Sequence, residues 1–522
     1  MKVSVIDLGF NSVKLVNYYV NSDNSYNAYE ERGLKVRLGE GLNGTGYLTN
    51  ESVHRTINAL KLFHDIISFQ TIKHVIPVAT SAVREATNKD DFLKEAYQET
   101  GFRFRVLSGK AEALYSYAGA LSSTCIPTAL FFDLGGGSLE MVYTENFKIR
   151  KFISLPLGAL RLSQIYGRTD GTITKKNYSR MKQHILKILP SRRDLEMSPD
   201  TSIIGVGGTL RALARYDQQI KRYVLDKIHN YIMDYESVDS INTRLAKMTS
   251  NGISKIDAIG NNRVETITTG SCIINLLMQK LGFGKVVVSA RGLREGILSA
   301  FIESPKTYYS ESMRQDRIQK SVRVCCRQEI TVRQSTRAFI KPLTSIGLIK
   351  KREYEILVYA IKQMSKIPLT TNFHNLFYMI IDQDIANLSH SEQLVLALSI
   401  IHTKKPKTAN WLFKRYDSIL QSQNRRSIEK ISACISFLEI VERNNSIVKL
   451  SARTKNKIHL SIIPGKKNTI PMIHLENILK NLETVFDIFV DYSISANSYG
   501  KTTTNSAASK KINSNTGIAI TR

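Results

Sequence analysis

Two stretches of this chain share one pattern: an apolar run, a short glycine-bearing turn, then a second apolar run. The first is Val3-Ser4-Val5-Ile6-Asp7-Leu8-Gly9-Phe10-Asn11-Ser12-Val13-Lys14-Leu15-Val16. The second is Phe131-Phe132-Asp133-Leu134-Gly135-Gly136-Gly137-Ser138-Leu139-Glu140-Met141-Val142-Tyr143. Each predicts a hairpin of two buried strands, and both turns read Asp-Leu-Gly-x-x-Ser. Between and after them, strand and helix patterns alternate. Val53 to Ile67 has helical apolar spacing, and Val75 to Ala79 and Phe104 to Leu107 read as buried strands. Thr80-Ser81 and Ser108-Gly109 open helices. Gly33 to Leu48 is polar and glycine-rich, with Arg37-Leu38-Gly39-Glu40-Gly41-Leu42 reading as a loop. Lys175 to Leu189 is a basic amphipathic helix stopped by Pro190. Ile203 to Arg211 and Val286 to Ile297 each read strand, glycine turn, helix. Such alternation through residues 1–300 predicts a mixed α/β fold.

After Ser304-Pro305 the texture changes. Asp316 to Ile330, Tyr354 to Met364, Ser391 to His402 and Ala409 to Ser422 are helical in pattern. Residues 447–464 and 468–495 read as strands plus one helix. Ala496 to Arg522 has little to bury and is expected to be disordered. The expected division is 1–125 and 126–304 for two α/β lobes, 305–440 for a helical domain, 441–495 for a small α/β domain, and 496–522 for a tail. A length of 522 residues supports about three or four domains.

Charge adds a partner class. Lys and Arg number 73 against 45 Asp and Glu, a net +28. Residues 1–300 hold 39 basic and 28 acidic groups, or +11, and residues 301–522 hold 34 and 17, or +17. An excess of this size suits a polyanion, although a solvated basic surface would look the same. Cys125, Cys272, Cys325, Cys326 and Cys434 have no paired spacing, so reduced thiols in a cytoplasmic protein are expected. His374, His390 and His402 lack an accompanying His-Asp pair, and no metal is expected there. Met1-Lys2 runs straight into a strand, so no secretory signal is expected, and no apolar stretch is long enough for a membrane span.

The turns carry the candidate chemistry. Three glycines at 135–137 remove every Cβ from the second bend, so backbone N–H groups can point at a tetrahedral anion. In a single copy the glycines could serve only the turn. Two copies heading two α/β segments suggest a duplicated domain with phosphate loops facing across a cleft. Asp133 and Glu140 flank the bend and could hold Mg²⁺ with retained waters. Arg84 could clamp a phosphate or pair with a surface acid. Glu112 lies in the first turn of its helix, where an acid suits the dipole; from there it could also face the cleft and take a proton from water. Gly207, Gly208 and Thr209 open a third place where a helix N-terminus could meet phosphate.

Taken together, these blocks resemble the exopolyphosphatase/guanosine-pentaphosphatase family of the actin-like superfamily that includes sugar kinases and acetate kinase. The likeness rests on Asp7 to Ser12, Ala79 to Asn88, Ser108 to Gly119, Asp133 to Glu140, Gly205 to Arg211 and Ser289 to Gly296, with support from Ser154 to Leu162. It is dense over residues 1–300 and weaker beyond. The resemblance implies duplicated ribonuclease-H-like (actin-like) lobes around a cleft, then an all-α, HD-like domain and a small C-terminal α/β unit. It implies Glu112 as the base that activates water, and Asp7, Asp133 and Glu140 as acids around Mg²⁺ (or Mn²⁺). It implies Asn11, Ser12 and the Gly135, Gly136, Gly137, Ser138 loop as phosphate cradles, with Arg84 as a clamp and Gly207, Gly208 and Thr209 near the nucleotide place. Phe10 stands where relatives usually carry Ser, Lys14 where Arg is common, and Leu139 where Thr is common. The expected activity is removal of the terminal phosphate of inorganic polyphosphate. Guanosine pentaphosphate hydrolysis is the alternative, and the family allows for a homodimer. A superfamily phosphotransferase is opposed by the basic helical C-terminal part, since small acceptors need no polyanion track. A non-catalytic polyphosphate binder is opposed by the acids at Glu112, Asp133 and Glu140. No membrane partner is expected, nor nucleic acid.

Overall fold

The computed structural model describes residues 1–303, 333–364 and 372–494, apart from 23, 169–171, 445, 455 and 466–470. The expected helix Asp316 to Ile330, Cys325-Cys326 and the tail from Ala496 lie outside the described residues. The described residues form two compact units. Residues up to 303 together with Asp382–His390 make the first, and the rest make the second.

Two sheets build the first unit. One contains β1 (Lys2–Leu8), β2 (Ser12–Val20), β3 (Tyr26–Lys35), β4 (His74–Ala79) and β5 (Arg105–Val106), in the order β3-β2-β1-β4-β5. The other contains β6 (Ala129–Leu134), β7 (Leu139–Glu145), β8 (Lys148–Leu155), β9 (Ser202–Val206), β10 (Tyr231–Asp234) and β11 (Lys285–Val288), in the order β10-β11-β9-β6-β7-β8. β1 is antiparallel to β2 and parallel to β4. β6 is antiparallel to β7 and parallel to β9 in the same way. Read from β8 to β11, the second sheet therefore repeats the order of the first, and β10 is an addition at the far edge, antiparallel to β11. The duplication expected from the paired hairpins is present.

The helices that follow the two sheets exchange places. Gly109–Thr124 follows β5, yet Leu114, Tyr117 and Leu121 share a core with Phe131, Val142 and Ile204 of the second sheet. Leu293–Glu303 follows β11, yet Ile297, Leu298 and Phe301 pack with Val3, Val5 and Ile76 of the first. The helices cross where both carry glycine. A Cβ on Gly119 would lie 2.0 Å from Gly292 O, and one on Gly296 would lie 1.9 Å from Tyr115 O. Backbone-to-backbone approach of this kind has no room for any side chain.

The second unit begins with the helices Gln334–Ser345 and Lys351–Met364, continues through Phe373–Asp382, His390–His402 and Pro406–Arg415, and reaches the long helix Ser422–Arg443. A three-stranded sheet follows, of β12 (Ile447–Thr454), β13 (Lys457–Ile463) and β14 (Phe489–Ile494), with order β12-β13-β14. β13 and β14 are parallel, so the helix Met472–Phe486 is the crossover that a parallel pair requires. Leu475, Ile478, Leu479 and Leu482 face inward from it.

Some expectations needed correction. The strand β3, which takes in the start of the polar stretch from Gly33, was not expected, because it is an edge strand whose mostly exposed residues give no apolar signal. The helical pattern from Ala409 ends at Arg415, and Ser422 starts the next helix. Residues 382–390, placed by pattern in the helical domain, pack with the first unit instead.

Candidate active site

Both hairpin turns close with the same bond: Gly9 N–H donates to Ser12 O, and Gly135 N–H donates to Ser138 O, each at 3.0 Å. The carbonyls of the bends are satisfied from behind. Phe10 O accepts from Gly39, Asn11 O from Val36 and Arg37, and Gly136 O from Leu160 and Arg161. The N–H groups of Phe10, Asn11, Gly136 and Gly137 make no hydrogen bond to a described residue. Fixed backbone with free donors on one side is an anion cradle. The helix Gly208–Ile220 adds its N-terminus beside them. Gly207 has φ +111°, and a Cβ there would come 2.5 Å from Leu134 O.

A cavity of about 180 Å³ is lined by Asn11, Ser12, Gly135, Gly136, Ser138, Gly207, Gly208 and Thr209. Asp7, Glu112 and Asp133 line it too, as do Lys14, Arg211, Arg263, Arg294 and Glu295. The structure thus brings most of the residues expected from sequence to one cleft. Gly137, Arg84 and Glu140 do not line it. Gly137 is held behind the turn, its carbonyl accepting from Arg161 Nε at 2.7 Å. Arg84 points to the base of the cleft, where Nη1 donates to Glu112 Oε2 at 2.8 Å and to Leu107 O at 2.9 Å. Glu140 is 1% exposed and accepts from Ser154 Oγ at 3.1 Å.

The duplicated hairpins differ in charge at a matched place. Asp7 faces Lys14 across β1 and β2, and Asp133 faces Glu140 across β6 and β7. Burial raises the Asp7 and Asp133 carboxyls above the usual range. Arg294 and Lys14 oppose this at Asp7, and a 2.6 Å hydrogen bond from Ser116 opposes it at Asp133. Burial also raises Glu112, to about 7, against the pull of Arg84. Glu140 is raised well above its ordinary value by burial and by the charge of Glu112. Lys14 is pushed down to about 7 by burial and by Arg294 and Arg211.

Cations face these acids. Arg294 pairs with Glu31 at 2.7 Å. Lys14, Arg211 and Arg263 make no ion pair or side-chain hydrogen bond to a described residue. Burial brings Arg263 down to about 10, with Arg211 and Arg215 adding to it. Half-buried cations with no partner and a shared cleft invite a multiply charged anion. Sequence reading passed over Arg211, Arg263 and Arg294. A signal existed for two of them, since Arg211 and Arg294 sit in the first turn of a helix, where the dipole disfavours a cation. Arg263 lies in a short 3₁₀ turn and gives no such sign.

Phe10 is 2% exposed. Its ring fills the space that a Cβ on Gly39 or Gly137 would take, at 2.3 Å and 2.6 Å respectively, and the Arg161 guanidinium lies 5.5 Å from the ring centre. It therefore joins the two loops.

Two lobes with one repeated strand order, closing on backbone cradles and buried carboxylates, define a phosphate-handling protein of the actin-like class. The chain belongs to the Ppx/GppA phosphatase family, whose sequence profile matches residues 21–304. A bifunctional 3-dehydroquinate synthase/phosphatase of Fusobacterium nucleatum is 28% identical over 310 residues, covering 57% of this chain and 46% of its own length. A guanosine-5'-triphosphate,3'-diphosphate pyrophosphatase of Aliivibrio fischeri is 28% identical over 58% of this chain and 59% of its own. The chain thus spans about half the length of these relatives. Exopolyphosphatase 2 of Mycobacterium tuberculosis is 26% identical over 57% of this chain and 97% of its own. Among solved structures, an Aquifex aeolicus member of the Ppx/GppA family superposes with a TM-score of 0.50 at 28% identity, over 59% of this chain and 99% of that one. An exopolyphosphatase from Cytophaga hutchinsonii gives 0.54 at 24% identity, over 58% and 98%, which speaks to the fold.

Proposed function

We propose that this protein is an exopolyphosphatase that hydrolyses the terminal phosphoanhydride of inorganic polyphosphate. The observation that carries the reading is the place of Glu112, a half-buried carboxylate held by Arg84 on a cleft lined by both backbone cradles, where desolvation pushes it up to about 7. A general base works best with its pKa near the working pH.

The donor set fits a hard divalent cation. Mg²⁺ takes one or two carboxylates and completes its shell with water and substrate phosphates, and Asp7 and Asp133 are cleft carboxylates of this kind. Among the described residues no three acids, histidines or cysteines form a preformed cage, so metal and substrate would bind together, and Glu140, which does not line the cavity, is left to support the turn. When bound, the cation supplies charge neutralisation at the phosphate oxygens. The two cradles hold successive phosphates through backbone N–H groups. Lys14, Arg211, Arg263 and Arg294 neutralise those further along. Glu112 orients a water in line with the terminal phosphorus and takes its proton. Arg84 holds the Glu112 carboxylate in place for that transfer. Phosphoanhydride cleavage needs positioning and charge more than covalent help.

Guanosine pentaphosphate is the second reading. The name of the Aliivibrio relative supports it, as do the unpaired Arg211 and Arg263 beside the Gly207-Gly208-Thr209 turn. Initial rates of phosphate release from long polyphosphate, tripolyphosphate and guanosine pentaphosphate, with Mg²⁺, test both. No release from any of the three would overturn the proposal.

A further inference from the structure

The segment Asp382–His390 lies far along the chain from the α/β lobes, yet it packs on them. Its contacts reach the stretch Tyr223–Asn230 and, through Asp384, the loop Ser289–Gly292 between β11 and the helix Leu293–Glu303. Asp384 Oδ2 accepts from Arg291 Nε at 3.1 Å, and its Oδ1 lies 3.6 Å from Lys227 Nζ. His390 Nε2–H donates to His229 O at 2.9 Å, while its Nδ1 accepts from Tyr223 OH at 2.8 Å. His229 in turn uses Nδ1 to accept from the N–H of Ala290 at 3.2 Å. Asn230 Nδ2 donates to Leu388 O at 3.2 Å. The segment therefore holds the loop directly at Arg291 through Asp384, and His390 bonds the backbone of His229, whose ring meets Ala290.

The gripped residues border the cleft. Ala290 and Gly292 line the cavity, and so do Leu293, Arg294 and Glu295 just beyond them. Arg291 itself does not line it. Its guanidinium lies between Asp384 and the ring of Tyr26, 5.6 Å from the ring centre. The loop is anchored at its two ends, Ser289 N–H donating to Gly205 O and Gly292 N–H to Glu295 Oε2, each at 2.8 Å. Between them, Arg291 N–H and O are both taken up by Ser289 Oγ within the loop, so that Asp384 is the hydrogen-bond partner the Arg291 side chain adds from outside it. A charge-assisted bond to a half-buried guanidinium, 27% exposed, is shielded from water and stronger than a surface pair.

We propose that Asp384 is a positioning residue: by holding Arg291 it fixes the Ser289–Gly292 loop, and through that loop the phosphate-binding side chain of Arg294. This rests on the proposed role of the cleft as a phosphate site. The segment Asp382–His390 then contributes to anion binding although none of its residues lines the cavity.

The test uses the full chain, with tripolyphosphate and Mg²⁺ as the probe, binding read by calorimetry and turnover by phosphate release. Asp384→Asn keeps shape and removes the charge. Its Kd and KM should rise about tenfold with kcat little changed, the scale of coupling between contacting groups, and Asp384→Glu should restore most of the affinity. Arg291→Gln breaks the same tie from the loop side and should give the same loss, with the double variant no weaker than either single one. If Asp384→Asn does not fold by circular dichroism, Arg291→Gln carries the test with the same expected loss. A merely structural role would lower the melting temperature and leave KM alone. Wild-type KM and Kd in the folded variants would overturn the inference while leaving the cleft reading intact. A wild-type chain that does not bind tripolyphosphate would overturn the cleft reading, and this inference with it.

Discussion

Replacing Glu112 by glutamine separates the chemistry of the site from its cost. The amide has almost the same volume, and its oxygen can still accept from Arg84, but it cannot take a proton from water. Turnover should fall by about 10²–10⁴-fold, the usual contribution of a positioned base. Stability should move the other way. The folded pKa of about 7 lies above the 4.5 of an exposed glutamate, so ionising the buried group costs the fold roughly 3 kcal/mol at about 1.4 kcal/mol per pH unit. Below the unfolded value that cost is absent. It grows as pH rises, and it is complete above the folded value. Wild-type stability should therefore decline through this group between about pH 4.5 and 7. Glu112→Gln should match wild type at the acid end and exceed it by roughly 1–3 kcal/mol at pH 8. Urea melts at both ends of the window read the stability, and phosphate release from polyphosphate reads the rate. Wild-type kcat should rise with pH through about 7, the Glu112 pKa, and then level. A variant that kept more than about a tenth of the wild-type rate would refute the assignment of the base. A variant less stable than wild type at pH 8 would refute the claim that burial dominates over Arg84.

Other outcomes follow from the same geometry. Turnover should stop in chelator and in Asp133→Asn, whereas Glu140→Gln should retain most of it, because Glu140 accepts from Ser154 Oγ behind the cleft and does not line the cavity; phosphate release with and without added Mg²⁺ checks both. Phe10→Ser should destabilise the fold by about 3–5 kcal/mol, since the ring fills space between Gly39 and Gly137 and a cavity would remain; thermal melting reads this. Gly296→Ala should cost roughly 1–3 kcal/mol or more by forcing apart the crossed helices, seen as a lowered urea midpoint, while an alanine at exposed Gly101, which has positive φ but open space around it, should report only backbone strain.

The sequence by itself determined the repeated hairpins, their glycine turns and the acids beside them, because each is a local pattern. A strand–turn–strand with Asp-Leu-Gly-x-x-Ser can be read over a dozen residues, and so can a helix opened by Ser108 with Glu112 in its first turn. Edge strands escaped: the exposed residues of β3 have no apolar period to read. Tertiary structure alone decided which acids meet. Glu140 matches Asp133 by register, yet it lies behind the cleft, while Lys14 holds the equivalent place in the first hairpin and does line it. Only the assembled lobes brought Arg211, Arg263 and Arg294 together from separate helix starts and turns. The helix exchange was equally invisible, because nothing in Gly109–Thr124 says on which sheet its apolar face will rest. The same holds for Asp384, whose partner Arg291 lies 93 residues away in sequence. Pairings of that separation depend on how whole sheets and helices pack, and no local pattern in the chain encodes them.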